Sequence, residues 1–424
     1  MKLLCLSNGH GEDAIAVRIL AELQRQSPLL EIAALPLVGE GSAYLRSQVP
    51  IVGAVKQMPS GGFIYMDNKQ LWRDVRGGLL QLVWKQYGAM RQWVRSSGES
   101  AVVLAVGDLV PLLFAGLSGV SYAFVGTAKS EYYLRDSERG WHSPKTRREG
   151  WAGSVYYPWE RWLMSRQRCR AVFPRDSLTA RILQKKGRIP IFDLGNPMMD
   201  GIEPEGSAPV FDGVNTEEQE KARSLQIVLL PGSRPPEAYR NWEQMLEAVG
   251  LVSRTFGDRG VTFLAAITPT LDANACVTPL AEQGFRAPRD AGKGWGGDRE
   301  ALVFERDRSK LVLTQNAYHD CLLQADFAIA MAGTATEQFV GLGKPAIALP
   351  GQGPQYTYAF AEAQSRHLGA SLILVQQPRE VAETIQSLLQ DPDRLQFIAK
   401  NGRQRMGKPG AARRIAECLI SRLG

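Results

Sequence analysis

The sequence predicts an α/β protein built from two doubly wound parallel-sheet domains. Three observations carry that prediction. The chain has 424 residues, too many for one ordinary hydrophobic core. Short apolar runs alternate with helix-period segments in both halves, the pattern of strands joined by crossover helices. An acidic stretch rich in Gly, Pro and Glu, 201–221, separates the halves and reads as a linker.

The elements follow in order. KLLCLS at 2–7 is an apolar run bounded by NGHGED. It is too short for a signal peptide and reads as a first strand. Residues 14–24 read as a helix and 31–37 as a second strand. Segment 72–95 places apolar and aromatic residues at helical spacing with charges between them. A buried-type strand, 101–106, ends in Gly107-Asp108, and further strands fall at 121–126 and 171–173. LGNPMMD at 194–200 closes the first half. The second half repeats the alternation, with strands at 226–230, 261–267, 310–313, 327–331 and 346–349. A turn at 231–236 leads into a helix from Glu237, and a last helix covers 411–423. Residues 292–297, GKGWGG, form a glycine-rich loop. The domain boundaries are therefore 1–200, a linker over 201–221, 222–405, and a C-terminal helix over 406–424. Two such halves are expected to face a cleft at the carboxyl ends of their strands, where open α/β sheets bind ligands.

Charge divides the halves. Residues 1–200 carry 26 Lys and Arg against 17 Asp and Glu, whereas 201–424 carry 24 against 26. Seven of the nine tryptophans lie in the first half, at 72, 84, 93, 141, 151, 159 and 162. Trp prefers bilayer headgroups, and each cation near an anionic leaflet adds about 1 kcal/mol. The N-terminal half, through segments 62–95 and 132–170, is thus expected to dock on an anionic membrane surface. Core aromatics beneath a solvated face are the alternative. Nucleic acid is not expected, because no base-reading module is present and the second half is neutral. No run of about 18 apolar residues exists to span a bilayer. The five cysteines, Cys5, Cys169, Cys276, Cys321 and Cys418, show no paired spacing. They read as reduced thiols of a cytosolic protein, with no disulfide framework and no zinc site. His142, His319 and His367 lack metal-ligand spacing and read as structural. Oligomeric state is left open.

Candidate chemistry gathers at strand ends. Pro231-Gly232-Ser233-Arg234 follows one apolar strand. Gly232 lets backbone approach a phosphate, Ser233 offers a donor, and Arg234 pairs with a diphosphate bidentately. An N-cap serine at an ordinary turn is the alternative. Gly333-Thr334-Ala335-Thr336-Glu337 follows another strand and opens a helix whose N–H groups favour an anion. Glu337 suits a ribose diol, although Thr334 and Glu337 also fit a capping box. Gln352 and Gln355 offer amides to sugar hydroxyls from the loop 351–355. His10, flanked by Gly9 and Gly11, ends the first strand and can take a proton near neutral pH. Asp108 is a second candidate base, with a helix N-cap as its alternative role.

These residues resemble a known family. LLPGSRPPE at 229–237 and MAGTATEQ at 331–338 resemble the donor-site motifs of lipid-A-disaccharide synthase. GNPMMD at 195–200 is similar to that family's turn between domains. PGQGPQYTYAF and the histidine of NGHGE are more similar to the undecaprenyl-linked N-acetylglucosaminyltransferase of peptidoglycan synthesis and to diacylglycerol glycosyltransferases. All are GT-B glycosyltransferases, so the resemblance implies two Rossmann-like domains facing a cleft. It implies phosphate contacts from Thr334 and Thr336 and donor-sugar contacts from Gln352 and Gln355. An aspartate at a strand end comparable to Asp108 is implicated as the base in the lipid-A family, whose members lack His10 and carry a Gly-Asp pair nearby. Here Glu12 and Asp13 occupy similar places, so the base stays open between His10 and Asp108. The expectation is an inverting, metal-independent transfer from a UDP-sugar, with no cofactor, to a lipid or other amphiphilic acceptor. The protein is expected to be cytoplasmic and peripherally membrane-associated. The rival expectations are a nucleotide-sugar epimerase of the same fold and a non-catalytic nucleotide-binding scaffold at the membrane.

Overall fold

The computed structural model describes residues 1–55, 79–136, 140–202, 223–288 and 294–423; the side chains of residues 10, 79 and 80 are outside that description. The chain divides into two compact units, Met1–Asp200 with Gly407–Gly424, and Gly201–Met406. The last helix thus belongs to the first unit and is not a separate appendage. The expected linker at 201–221 lies mostly outside the described residues.

The first unit is a five-stranded parallel sheet in the order β2-β1-β3-β4-β7. Its strands are β1 (Lys2–Ser7), β2 (Glu31–Pro36), β3 (Ala101–Gly107), β4 (Ser121–Gly126) and β7 (Cys169–Phe173). A two-stranded hairpin, β5 (Arg135–Asp136) with β6 (Gly140–Trp141), stands apart from it. All seven residues of β3 are buried, as a central parallel strand covered on both faces requires. Helix α1 (His10–Gln26) starts four residues earlier than expected, directly after the β1 turn. It packs against the last helix, Ala411–Leu423. The expected turn at 194–200 completes that pairing. The Asp200 carboxylate accepts the N–H groups of Gly410, Ala411 and Ala412 at 2.7, 3.1 and 2.6 Å. Arg18 of α1 donates to the carbonyls of Pro197 and Met198 at 3.0 and 3.1 Å. The last helix therefore starts where an anion satisfies its free N–H groups.

The second unit is a seven-stranded sheet in the order β10-β11-β9-β8-β12-β13-β14. Its strands are β8 (Leu225–Leu230), β9 (Val261–Ala266), β10 (Leu302–Arg306), β11 (Ser309–Thr314), β12 (Phe327–Ala330), β13 (Ala346–Ala348) and β14 (Leu372–Leu374). Every pairing is parallel except β10 with β11, an antiparallel edge hairpin. Its core joins Ile227, Leu229, Phe263, Leu311, Ile329 and Ile347 of the sheet to Trp242, Met245 and Val249 of the helix Glu237–Thr255. Edge strands β10 and β14 were not expected. Glu305 and Arg306 in β10 break the apolar run, and β14 has only three residues. Among the described residues no helix is long and apolar enough to cross a membrane. Four of the five cysteines are buried and all are free.

Candidate functional site

In the second unit, three turns emerge from the carboxyl ends of the neighbouring strands β8, β12 and β13, and buried side chains hold each in place. The turn after β8 has Gly232 at φ +98°, where a Cβ would stand 3.3 Å from the Met331 carbonyl of the neighbouring turn. Only glycine meets that conformation and that approach at little cost. Buried Asn241 donates to the Pro231 carbonyl at 2.9 Å. Ser233 is exposed and Arg234 half-buried. Ser233 does not cap the next helix, which begins at Glu237 with Pro236 as N-cap.

The turn after β12 leads into the helix Thr334–Gly341, whose N-cap is Gly333, with no side-chain cap. The capping-box alternative for Thr334 and Glu337 is thus not what the structure forms. Thr334 is exposed. Thr336 differs from the expectation of a phosphate contact. It is fully buried, and its hydroxyl donates to the Ala332 carbonyl at 2.6 Å, so it braces the turn from inside. Gln364 adds donors to the carbonyls of Ala332 and Gly333 at 3.2 and 3.1 Å. Glu337 is 8% exposed, and buried His367 places Nε2 3.7 Å from its Oε1. Gly333 and Ala335 are half-buried on the same first turn.

The loop after β13 carries exposed Gln352 and half-buried Gln355. Glu237, from the start of the helix after β8, reaches under it. Its carboxylate accepts the Gln355 N–H at 3.1 Å and the Tyr356 N–H at 2.6 Å. Arg240 donates to the Gly353 carbonyl at 2.6 Å. The Tyr356 hydroxyl donates to Gln364 Oε1 at 3.3 Å, linking this loop to the brace of the β12 turn. Glu237, Asn241, Tyr356 and Gln364 were missed from sequence, because each acts through a contact across the fold. The one available signal was that Glu237 ends the LLPGSRPPE motif.

In the first unit, the strand ends of β1, β3 and β4 gather acidic groups. Gly107 at φ +137° ends β3, and a Cβ there would collide with Asn8 Oδ1 just after β1. Asp108 is 4% exposed and caps the following helix by accepting the Val110 N–H at 3.0 Å. Glu12 lies in the first turn of α1. Thr127, after β4, donates to its Oε1 at 3.4 Å. Desolvation pushes the Glu12 carboxyl above its ordinary range; its own backbone N–H opposes this, and the charge of Asp108 adds to it. Asp13 is pushed to about 7 by burial, against the 2.6 Å hydrogen bond from Ser7, with Glu12 adding to the rise. The backbone places His10 as the first residue of α1, between Gly9 and the exposed Gly11, so it shares this strand edge with Asp108.

Several expected membrane tryptophans are solvent-facing in the first unit: Trp84 is 73%, Trp162 58% and Trp159 49% exposed. The helices carrying them, Leu79–Ser97 and Pro158–Met164, flank the helix Leu109–Ser118, which exposes Leu113 and Leu117. Arg166 stacks on Trp162 at 4.7 Å. Trp93 and Trp141 are half-buried. Trp93 packs on the core and Trp141 lies under Arg135 at 3.8 Å, so these two follow the core alternative. Trp72 lies outside the described residues.

No protein-family model matches the chain. The chain resembles lipid-A-disaccharide synthase from Trichlorobacter lovleyi, 26% identical over 258 residues and 55% of this chain. It also resembles the same enzyme from Syntrophus aciditrophicus, 26% identical over 211 residues and 46% of this chain. The matches cover 57% and 49% of those proteins, so the chain spans about half the length of the curated relatives it matches. Among solved structures, MurG of Acinetobacter baumannii is similar at TM-score 0.54 and 13% identity, over 99% of both chains. A UDP-GlcNAc 2-epimerase from Neisseria meningitidis, bound to UDP-GlcNAc, is similar at TM-score 0.56 and 12% identity, over 99% of this chain and 100% of that one. The chain therefore has the GT-B-like fold of two parallel-sheet, Rossmann-like domains.

Proposed function

We propose that the protein is an inverting glycosyltransferase that moves a sugar from a UDP-sugar to a lipid acceptor at a membrane surface. The observation that carries this reading is the second unit's set of three braced turns, with Glu337 at the first turn of the middle helix. Gly232, Ser233 and Arg234 would cradle the diphosphate with the N–H groups at Gly333, Thr334 and Ala335. Glu337 would accept the ribose hydroxyls, and Gln352 and Gln355 would meet the sugar. Thr336 enters the proposal only as the brace of that turn. No metal step is required in this reading, because Arg234 and the helix N-terminus meet the charge that develops on the departing diphosphate. The acceptor hydroxyl would lose its proton to His10 or Asp108 as it attacks the anomeric carbon from the opposite face, and that displacement inverts the centre. Exposed Trp84, Trp159 and Trp162, the last stacked with Arg166, support docking on anionic lipid.

A second reading has one observation in its favour. Glu12, Asp13 and Asp108 crowd one strand edge of the first unit, and an epimerase needs such carboxylates to move protons on the sugar. It predicts turnover of a UDP-sugar with no acceptor.

Calorimetric titration with UDP, GDP and dTDP tests the donor site. Saturable binding of UDP alone, lost in Glu337→Ala, supports it. No binding of any nucleotide refutes the transferase, the epimerase and the nucleotide-binding scaffold together, whereas UDP binding with no turnover of any UDP-sugar leaves the scaffold. Vesicles of phosphatidylglycerol should sediment the wild type but not Trp84→Ser/Trp162→Ser; equal sedimentation of both removes the membrane part.

A further inference from the structure

A cleft lies in the second unit, away from the three turns. It is an open recess of about 710 Å³ between the C-terminal half of the helix Glu237–Thr255 and the β10–β11 hairpin. Glu247, Gly250, Ser253 and Arg254 of the helix and hairpin residues 306–309 line it. The helix leaves the carboxyl end of β8 and returns to the amino end of β9. The cavity therefore sits at the amino ends of the parallel strands, opposite the edge that carries Gly232, Gly333 and Gln355.

Three guanidinium groups, Arg254, Arg306 and Arg308, line this cavity, with Glu247 and Asp307 exposed among them. Among the described residues neither Arg254 nor Arg308 has an ion pair. Arg306 is anchored. It donates from Nη1 to the Gln283 carbonyl at 2.9 Å and stacks on Phe285 at 4.8 Å. Burial pulls its pKa below the ordinary value, Asp307 opposes this, and the nearby positive charge of Arg254 lowers it further. Arg306 is half-buried while Arg254 and Arg308 are exposed, and an anion seated between these like charges relieves their mutual repulsion. Ser253 points the same way. It is 8% exposed, lines the cavity, and its Oγ has no hydrogen-bond partner among the described residues. A buried hydroxyl without a partner is uncommon and marks a place where a ligand or water completes the set.

Gly250 gives an independent reason. It lies inside a 19-residue helix, where glycine is the poorest choice after proline. Close packing does not demand it. A Cβ there would meet Gln283 Oε1 at 3.4 Å and Arg306 Nη1 at 4.0 Å, both ordinary contacts. Alanine would fit and would favour the helix, so the missing side chain serves to keep the cavity wall open.

We propose that this cavity binds a small phosphate-bearing anion, held by Arg254, Arg306 and Arg308 with Ser253 at its floor, as a second ligand site distinct from the candidate donor site. The site takes free phosphate groups or the phosphoryl end of a larger metabolite by the same chemistry. Its residues are not those proposed for the donor, so either proposal can fail alone.

Titration of inorganic pyrophosphate into the full chain, followed by calorimetry, tests it. Saturable binding is expected that weakens with added salt and falls about tenfold or more in Arg254→Gln/Arg308→Gln. Arg234→Gln, in the donor turn, should leave this binding intact. Gly250→Gln fills the cavity from a helix position that favours glutamine over glycine. Combined with Arg234→Gln, which disables the diphosphate cradle of the donor turn, it should abolish pyrophosphate binding without lowering the melting temperature. The proposal is overturned if Arg254→Gln/Arg308→Gln or Gly250→Gln binds pyrophosphate as the wild type does, or if Arg234→Gln alone removes the binding. Titration of UDP-sugar with and without pyrophosphate then separates a phosphorylated metabolite from the free ion: competition by the sugar nucleotide in Arg234→Gln supports the larger ligand at the same site.

Discussion

Replacing Glu237 with alanine should loosen the loop 351–357 far more than the single side chain suggests. Its carboxylate is the acceptor for two backbone donors, the N–H groups of Gln355 and Tyr356. Glu237 is 6% exposed and Tyr356 4%, so water does not readily replace the lost acceptor at Tyr356. An unsatisfied buried donor costs about 1–3 kcal/mol. With about 2 kcal/mol for Tyr356 and about 1 for the half-buried Gln355, the loop loses about 3 kcal/mol. A carboxylate in the first turn of a helix adds a few tenths more through the helix dipole. Since 1.4 kcal/mol is a factor of ten, amide exchange at these two residues should accelerate about a hundredfold. Hydrogen exchange resolved to Gln355 and Tyr356 reads this directly. Glu237→Gln keeps one acceptor oxygen and should show an intermediate rate. UDP binding should weaken in step, because the same loop carries Gln352 and Gln355. Wild-type exchange at both amides in Glu237→Ala would refute the assigned role of this carboxylate.

Two further outcomes follow from the first unit. Asp13 binds its proton more tightly folded than unfolded, so the folded state loses stability as pH rises from about 4 to about 7 and then levels off. Asp13→Asn should flatten that part of a pH series of urea melts and raise stability at pH 8 by as much as about 4 kcal/mol; an unchanged pH profile would show that Asp13 titrates normally. Asp200→Ala removes the acceptor of three helix N–H groups and should cost about 2 kcal/mol or more. Limited proteolysis should then cut near Gly407 at denaturant concentrations where the wild type resists, and equal resistance would count against the cap.

Much of the architecture was legible because parallel strands buried on both faces announce themselves as unbroken apolar runs. Lys2–Ser7, Ser121–Gly126 and the last helix fall where the sequence places them. The strands that escaped notice are edges: β10 is interrupted by charge, and β14 is three residues long. The turns of the candidate site were legible, because glycine, proline and a following threonine or glutamate punctuate a chain visibly. What each side chain does was less so. Thr334 and Thr336 read alike, two residues apart, yet one faces solvent and the other is sealed against Ala332, a distinction set by helix phase and packing. Glu237 serves amides 118 and 119 residues further on, and no local pattern encodes such a partner. Asp108 and Glu12 become electrostatic neighbours only when β1 and β3 pair.

The docking of residues 407–424 onto α1 has a consequence for how the protein is made. The first unit is opened by residues 1–200 and finished by residues 407–424, which are synthesised after the whole of the second unit. Until Ala411–Leu423 arrives, one side of α1 and the acceptor at Asp200 wait uncovered while more than two hundred intervening residues are added. The second unit has no such debt, since all its strands are contiguous in the chain, and it is free to reach its native state first. Vectorial synthesis therefore reverses the order that the sequence suggests. A nonsense change just after Met406 would injure the unit encoded first and leave the braced turns around Glu337 intact.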